Sequence, residues 1–218
     1  MNLFEDEATP QASGRDAGPG PSRGRAFVYV LPCRYEDILK IGFSRDPLER
    51  FQTLHVRWFD YFDVDAGLLI ETDSVADARR LERMLGKAVL LHKAPAPLVV
   101  PHAAAGHTEW YRGALEPLSG IVETLRQHDG YPVHRPVGRW LARRLEERAG
   151  LLYTWSTNLL EMIRAVESMP PNYAAEPLER TLRNALDAYV ALDLQPDHWL
   201  SQEVRRWYRD HGGVAPSD

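Results

Sequence analysis

Ala26-Phe27-Val28-Tyr29-Val30-Leu31 is followed by Ile38-Leu39-Lys40-Ile41-Gly42-Phe43 and then by Asp46-Pro47-Leu48-Glu49-Arg50. The first run is β-branched and aromatic, closes at Pro32, and reads as a buried strand. The second reads as a short strand that forms a hairpin with the first across the loop Cys33 to Asp37. The third carries Asp at the N-cap, Pro at the first helical position and Glu at the third, the signature of a helix start. That helix is predicted to reach about Val56 and to bury Leu48, Phe51 and either Leu54 or His55. Strand, strand, helix in this order predicts an α/β (α+β) domain built on a small, mainly antiparallel sheet.

Outward from this stretch, Asp63 to Ile70 reads as a third strand. Ser74, with Asp77 three residues on, starts a second helix. Ala78, Leu81, Leu85 and Val89 give that helix a core stripe. Residues 92–108 are rich in Pro, Ala and His and read as a loop. Thr108-Glu109-Trp110-Tyr111 follows, then a helix from Ala114 to His128. Residues 114–136 form a helix and linker. From there the pattern is helical, over roughly 137–148, 151–168, 176–192 and 198–210, with breakers at Gly150, Pro170-Pro171, Pro177 and Pro196. An α-helical region is therefore expected over 137–212. Residues 1–25 and 213–218 read as tails, the first disordered for want of apolar periodicity.

Composition narrows the class. The chain has 218 residues, 44% hydrophobic and 26% charged, which excludes a disordered or fibrous protein. No apolar run reaches the length of a membrane span. The single cysteine, Cys33, rules out an internal disulfide and a cysteine-rich zinc site. A reducing, cytoplasmic location is the expectation. The net charge of -5 is uneven: -3 over residues 1–22, +2 over 23–150 and -4 over 151–218. Only Lys40, Lys87 and Lys93 are lysines. An arginine-heavy middle is compatible with phosphate recognition, but compositional bias is the stronger reading, and charge alone does not point to nucleic acid.

Four residues stand in an ordered set: Tyr29 on the first strand, Lys40 eleven residues on, Arg50 eight residues after Gly42, and Glu82 beside the stripe of the second helix. Here the sequence resembles the GIY-YIG nuclease superfamily over about residues 26–113. Val28-Tyr29-Val30 stands at the first triad and Lys40-Ile41-Gly42 at the second. Thr108-Glu109-Trp110-Tyr111 looks like the closing motif of the K-I-G branch, which includes phage-type DNA-binding domains. The resemblance implies hydrolysis of phosphodiester bonds, DNA first, with Mg²⁺ (or Mn²⁺). It implies catalytic roles for Tyr29, Lys40, Arg50 and Glu82, with Glu82 as the metal ligand. Gly42, Arg45, Arg79, Arg83 and Lys87 are the expected nucleic-acid contacts. The departures are Val28 for the opening glycine, Lys40 for the second tyrosine, and Leu54 where the family often has histidine or tyrosine. No asparagine lies between residues 3 and 157.

Phosphodiester cleavage needs an activated water, a cation at the phosphate and donors for developing charge. Glu82 is a natural Mg²⁺ ligand, and Arg50 suits bidentate phosphate binding. For Tyr29 to deprotonate water its phenol must titrate below about 10, which nearby cations favour. Lys40 would supply such a cation or bind phosphate directly. Each residue alone has a plainer reading: Tyr29 as core aromatic, Lys40 as an edge charge, Arg50 and Glu82 as helix-flank charges. His92, His102 and His107 read as loop histidines. Arg135, Arg139, Arg143, Arg144 and Arg148 form a second basic stripe, either a duplex grip or a salt-bridged surface. A non-catalytic DNA- or RNA-binding module on the same fold is the alternative function. A third is a helical interaction protein with a vestigial nuclease domain, docking a homodimer or protein partner through its C-terminal helices.

Overall fold

A computed structural model describes residues 23–101, 107–170 and 174–212. Residues 1–22 of the expected 1–25 tail, the tail at 213–218 and His102 lie outside the described residues, while residues 23–25 belong to a strand.

The element order is β1 (Arg23–Pro32), β2 (Ile38–Ser44), α1 (Pro47–Leu54), α2 (Trp58–Tyr61), β3 (Leu68–Ser74), α3 (Val75–Ala88), β4 (Lys93–Ala94), β5 (Trp110–Arg112), α4 (Leu115–His128), β6 (Val133–His134), α5 (Val137–Glu167), α6 (Glu176–Ala191) and α7 (Gln202–Asp210). The six strands make one sheet in the order β4-β5-β2-β1-β3-β6, with every neighbouring pair antiparallel. This is the expected α+β architecture with a helical C-terminal region.

β1 lies in the middle of the sheet and is buried on both sides, which explains its unbroken apolar run. Successive side chains alternate between faces. Phe27, Tyr29 and Leu31 join a core that runs through α1 and α2 into α5, α6 and α7. Ala26, Val28 and Val30 join a second core under α3 and α4. The C-terminal helices therefore share a hydrophobic core with the sheet. Among the described residues no helix is long and apolar enough to cross a membrane.

Several boundaries differ from those predicted. β1 starts at Arg23, not Ala26, because Arg23 pairs with Ser74 of β3 across a register shift, and Arg25 forms an ion pair with Glu71 at 2.9 Å. β3 starts at Leu68, not Asp63. The Asp63 carboxylate accepts from the amides of Asp65 and Ala66, folding Asp63–Ala66 into a turn. α1 stops at Leu54, and His55 is extended (φ -154°, ψ 134°). The loop over 92–108 contains β4, which borders β5. The linker supplies β6, whose Val133 pairs with Ile70.

The largest difference is α5, one helix of 31 residues where two were expected around Gly150. A helix-interior glycine costs only about 1 kcal/mol. The buried Leu145, Ala149, Leu152 and Leu159 straddle it and hold the helix together. The final helix begins at Gln202, because Pro196–Trp199 forms a separate 3-10 turn.

Candidate functional site

The hairpin register sets the site. Tyr29 lies opposite Gly42, and Leu31 lies opposite Lys40. Strand alternation therefore puts Tyr29, Lys40 and Gly42 on one face. Glycine leaves the room needed there: a Cβ at Gly42 would overlap the Tyr29 hydroxyl and stand 2.5 Å from its ring carbon Cζ. The missing side chain lets the phenol lie across β2. The ring is buried and meets Phe51 edge-on at 5.2 Å.

Arg50 comes from α1, whose start is built as the sequence predicts. The Asp46 carboxylate accepts from the Glu49 amide at 3.1 Å, and Pro47 follows it. One turn in, Arg50 Nε donates to the Tyr29 hydroxyl at 3.4 Å. Arg50 also reaches the Thr53 hydroxyl at 3.4 Å.

Lys40 is 1% exposed, an unusual place for an ammonium. Its Nζ donates to the Ile41 carbonyl at 3.3 Å and lies 3.5 Å from a Glu109 carboxylate oxygen. It also stands 5.5 Å from the centre of the Trp110 ring, its cross-strand partner on β5. Glu109 is the functional candidate that the motif reading left out of the site. Its signal was the Thr108-Glu109-Trp110-Tyr111 run; its pairing with Lys40, 69 residues away, was not visible.

Glu82 stands half-buried on α3, whose N-cap is Ser74 accepting from the Asp77 amide, as predicted. Its charge is felt at Tyr29 and Lys40. Burial, and then the Glu109 carboxylate, push the Glu82 carboxyl above the usual range. Burial also pushes Glu109 up, but the Thr108 hydroxyl and Lys40 outweigh it and hold that carboxyl below the usual range.

Burial lowers Lys40 from 10.5 to about 8, even with Glu109 supporting its charge. Tyr29 moves against expectation. Burial raises its phenol above 10, more than Arg50 can lower it. In the free chain Tyr29 is a neutral hydroxyl that accepts from Arg50 and has its own proton to donate.

Arg79, Arg83 and Lys87 occupy one exposed face of α3 at four-residue spacing. Arg79 lies over the Phe43 ring at 5.6 Å, and Arg83 donates to the Arg79 carbonyl. No carboxylate lies within ion-pair distance of these three among the described residues, whereas Arg80 is bound to Asp77. Arg45 is exposed in the turn before α1. The second stripe is partly neutralised: Arg144 pairs with Glu147 and Arg148 with Asp46. His92 Nδ1 sits 2.8 Å from the Arg112 carbonyl, holding β4 to β5. Among the described residues no three His, Cys, Asp or Glu side chains cluster as a metal cage. Burial takes the Cys33 thiol up to about 11, so it is inert at neutral pH.

The site thus gathers Tyr29 from β1, Lys40 from β2, Arg50 from α1, Glu82 from α3 and Glu109 from the approach to β5. No curated protein and no solved structure matches this chain. Residues 26–126, which hold all five of these side chains, match the family model of the T5orf172 domain, a phage-associated, nuclease-like family.

Proposed function

We propose that the chain is a GIY-YIG-type endonuclease that hydrolyses phosphodiester bonds of nucleic acid, with DNA as the first substrate to test. The observation that carries this reading is the Tyr29–Arg50 contact at 3.4 Å, with Gly42 leaving the room that the phenol occupies. The carboxylates of Glu82 and Glu109, from separate elements, act on the same phenol.

Each residue has a role that follows from its surroundings. Arg50 offers a planar, permanently charged fork to a phosphate. Lys40 adds a second cation. Tyr29, neutral and held by Arg50, donates a hydrogen bond to a water or a phosphate oxygen and so orients the attack. The exposed Arg79, Arg83 and Lys87 track the backbone away from the scissile bond.

The donor set fits Mg²⁺ or Mn²⁺. These ions take hard oxygen ligands and need only one or two protein carboxylates, water and phosphate filling the rest. Glu82 is the ligand, and the repulsion between Glu82 and Glu109 is what a bound dication would relieve. The ion would polarise the phosphate and stabilise developing charge.

The elevated Tyr29 phenol favours one second reading, a module on the same fold that binds nucleic acid without cutting it. The two separate on supercoiled plasmid with Mg²⁺. The nuclease reading expects nicking that Arg50→Ala, matched for folding, abolishes. A salt-dependent gel shift with no nicking under any divalent ion would leave the binding module.

A further inference from the structure

We propose that Glu109 is a positioning residue, whose carboxylate holds the buried Lys40 ammonium charged and in place on the sheet face that also carries Tyr29. A charge removed from water must be paired to persist. Among the described residues Glu109 is the only carboxylate within ion-pair distance of Lys40 Nζ, at 3.5 Å. That nitrogen also meets a neutral carbonyl and the face of Trp110.

Glu109 is itself pinned. Its backbone carbonyl accepts from the Ile41 amide at 3.0 Å, stitching the approach to β5 onto β2 beside Lys40. The Thr108 hydroxyl donates to its other carboxylate oxygen, leaving the first for Lys40. The Lys40 side chain is 2% exposed and that of Glu109 is 37% exposed, so the pair reaches from the core to water. The other charges facing Lys40 are Glu82 on α3, which supports its ammonium, and Arg50 on α1, which opposes it. With Arg50 so placed, losing Glu109 leaves the lysine short of negative charge. A cation whose job is to meet phosphate then fades at neutral pH. The nuclease reading enters only in that last consequence; the pair itself stands on geometry.

Three lysines make the test direct. The full chain labelled with [ε-13C]lysine gives three side-chain signals, and Lys40→Met assigns one. Lys40 is expected to titrate near 8 in the wild type. In Glu109→Gln its midpoint falls by about one pH unit or more. An unmoved midpoint in folded Glu109→Gln overturns the proposal. Should Glu109→Gln fail to fold, Lys40→Met gives the reciprocal reading: the Glu109 carboxyl, followed by its own 13C signal, must titrate higher. No change there overturns the pairing equally.

Binding of a fluorescent oligonucleotide without divalent metal reads the consequence. Relative to wild type, Glu109→Gln loses affinity several-fold between about pH 6.5 and 8, and the same substitution in a Lys40→Arg background does not. Guanidinium keeps its charge throughout that range. A loss independent of pH, or equal in both backgrounds, would show a merely structural role. If the oligonucleotide fails to bind wild type at all, the nucleic-acid reading falls while the lysine titration still decides the pair.

Discussion

Replacing Lys40 with methionine should make the protein more stable, and the gain should vanish at high pH. Lys40 is almost wholly buried, and its ammonium titrates at about 8 instead of 10.5. At about 1.4 kcal/mol per pH unit, that is roughly 3 kcal/mol against the charged form. The sign follows from proton counting. Between about pH 8 and 10.5 the unfolded chain binds a proton on this lysine and the folded chain does not, so stability rises with pH there. Below 8 both states are protonated, and the folded state carries the whole cost. Methionine fills a similar volume without the charge, and Glu109, being partly exposed, can be hydrated once Lys40 is gone. The net gain is therefore about 1–3 kcal/mol near pH 7, shrinking toward zero by about pH 10. Paired urea melts of the two proteins at both pH values measure it. A Lys40→Met protein less stable than wild type at pH 7, or a gap that does not change with pH, would refute the reasoning. A fold that keeps a destabilising lysine on the sheet face that also carries Tyr29 keeps it for a purpose other than stability.

Other substitutions follow from the same structure. Gly42→Ala should cost about 1–3 kcal/mol in urea melts, because the packed Tyr29 ring has to move; a neutral result would mean the ring is not confined. Gly150→Ala should add about 0.5–1 kcal/mol, since it lies inside α5 with nothing within 4 Å of a new Cβ; destabilisation would mean the helix bends or breaks there. Replacing Arg79, Arg83 and Lys87 together with alanine should lower the salt slope of DNA binding by about 2.7, at about 0.9 per phosphate contact. Arg144→Ala, already paired with Glu147, should leave the slope unchanged. Equal effects from the two would move the nucleic-acid face away from α3.

The sequence made the hairpin, α1 and α3 legible because their signals are local. Asp46-Pro47 and Ser74 cap helices where they stand, and the β1 run is apolar on both faces because helices cover both. Short elements escaped because pairing partners create them: β4 and β6 have two residues each, and each exists by bordering a longer strand. Gly150 misled because local propensity is weak against the packing of a helix buried along its length. At the site, the hairpin puts Tyr29 and Lys40 on one face, and Arg50 reaches Tyr29. Spacing did not reveal how they ionise. The phenol of Tyr29 goes up because the core closes over it, a property of the assembled fold. Glu109 lay in a quoted motif, yet its partner Lys40 is on another strand.

The central claim is that Glu82 serves chemistry and not the fold or the grip on substrate. The most direct measurement follows binding and cleavage of one labelled DNA by wild type and Glu82→Gln, with and without Mg²⁺. The account predicts that the substitution leaves the fold intact and metal-free binding within a few-fold of wild type, while metal-dependent cleavage is lost. Cleavage that survives Glu82→Gln, or binding and cleavage that fall together, would contradict it.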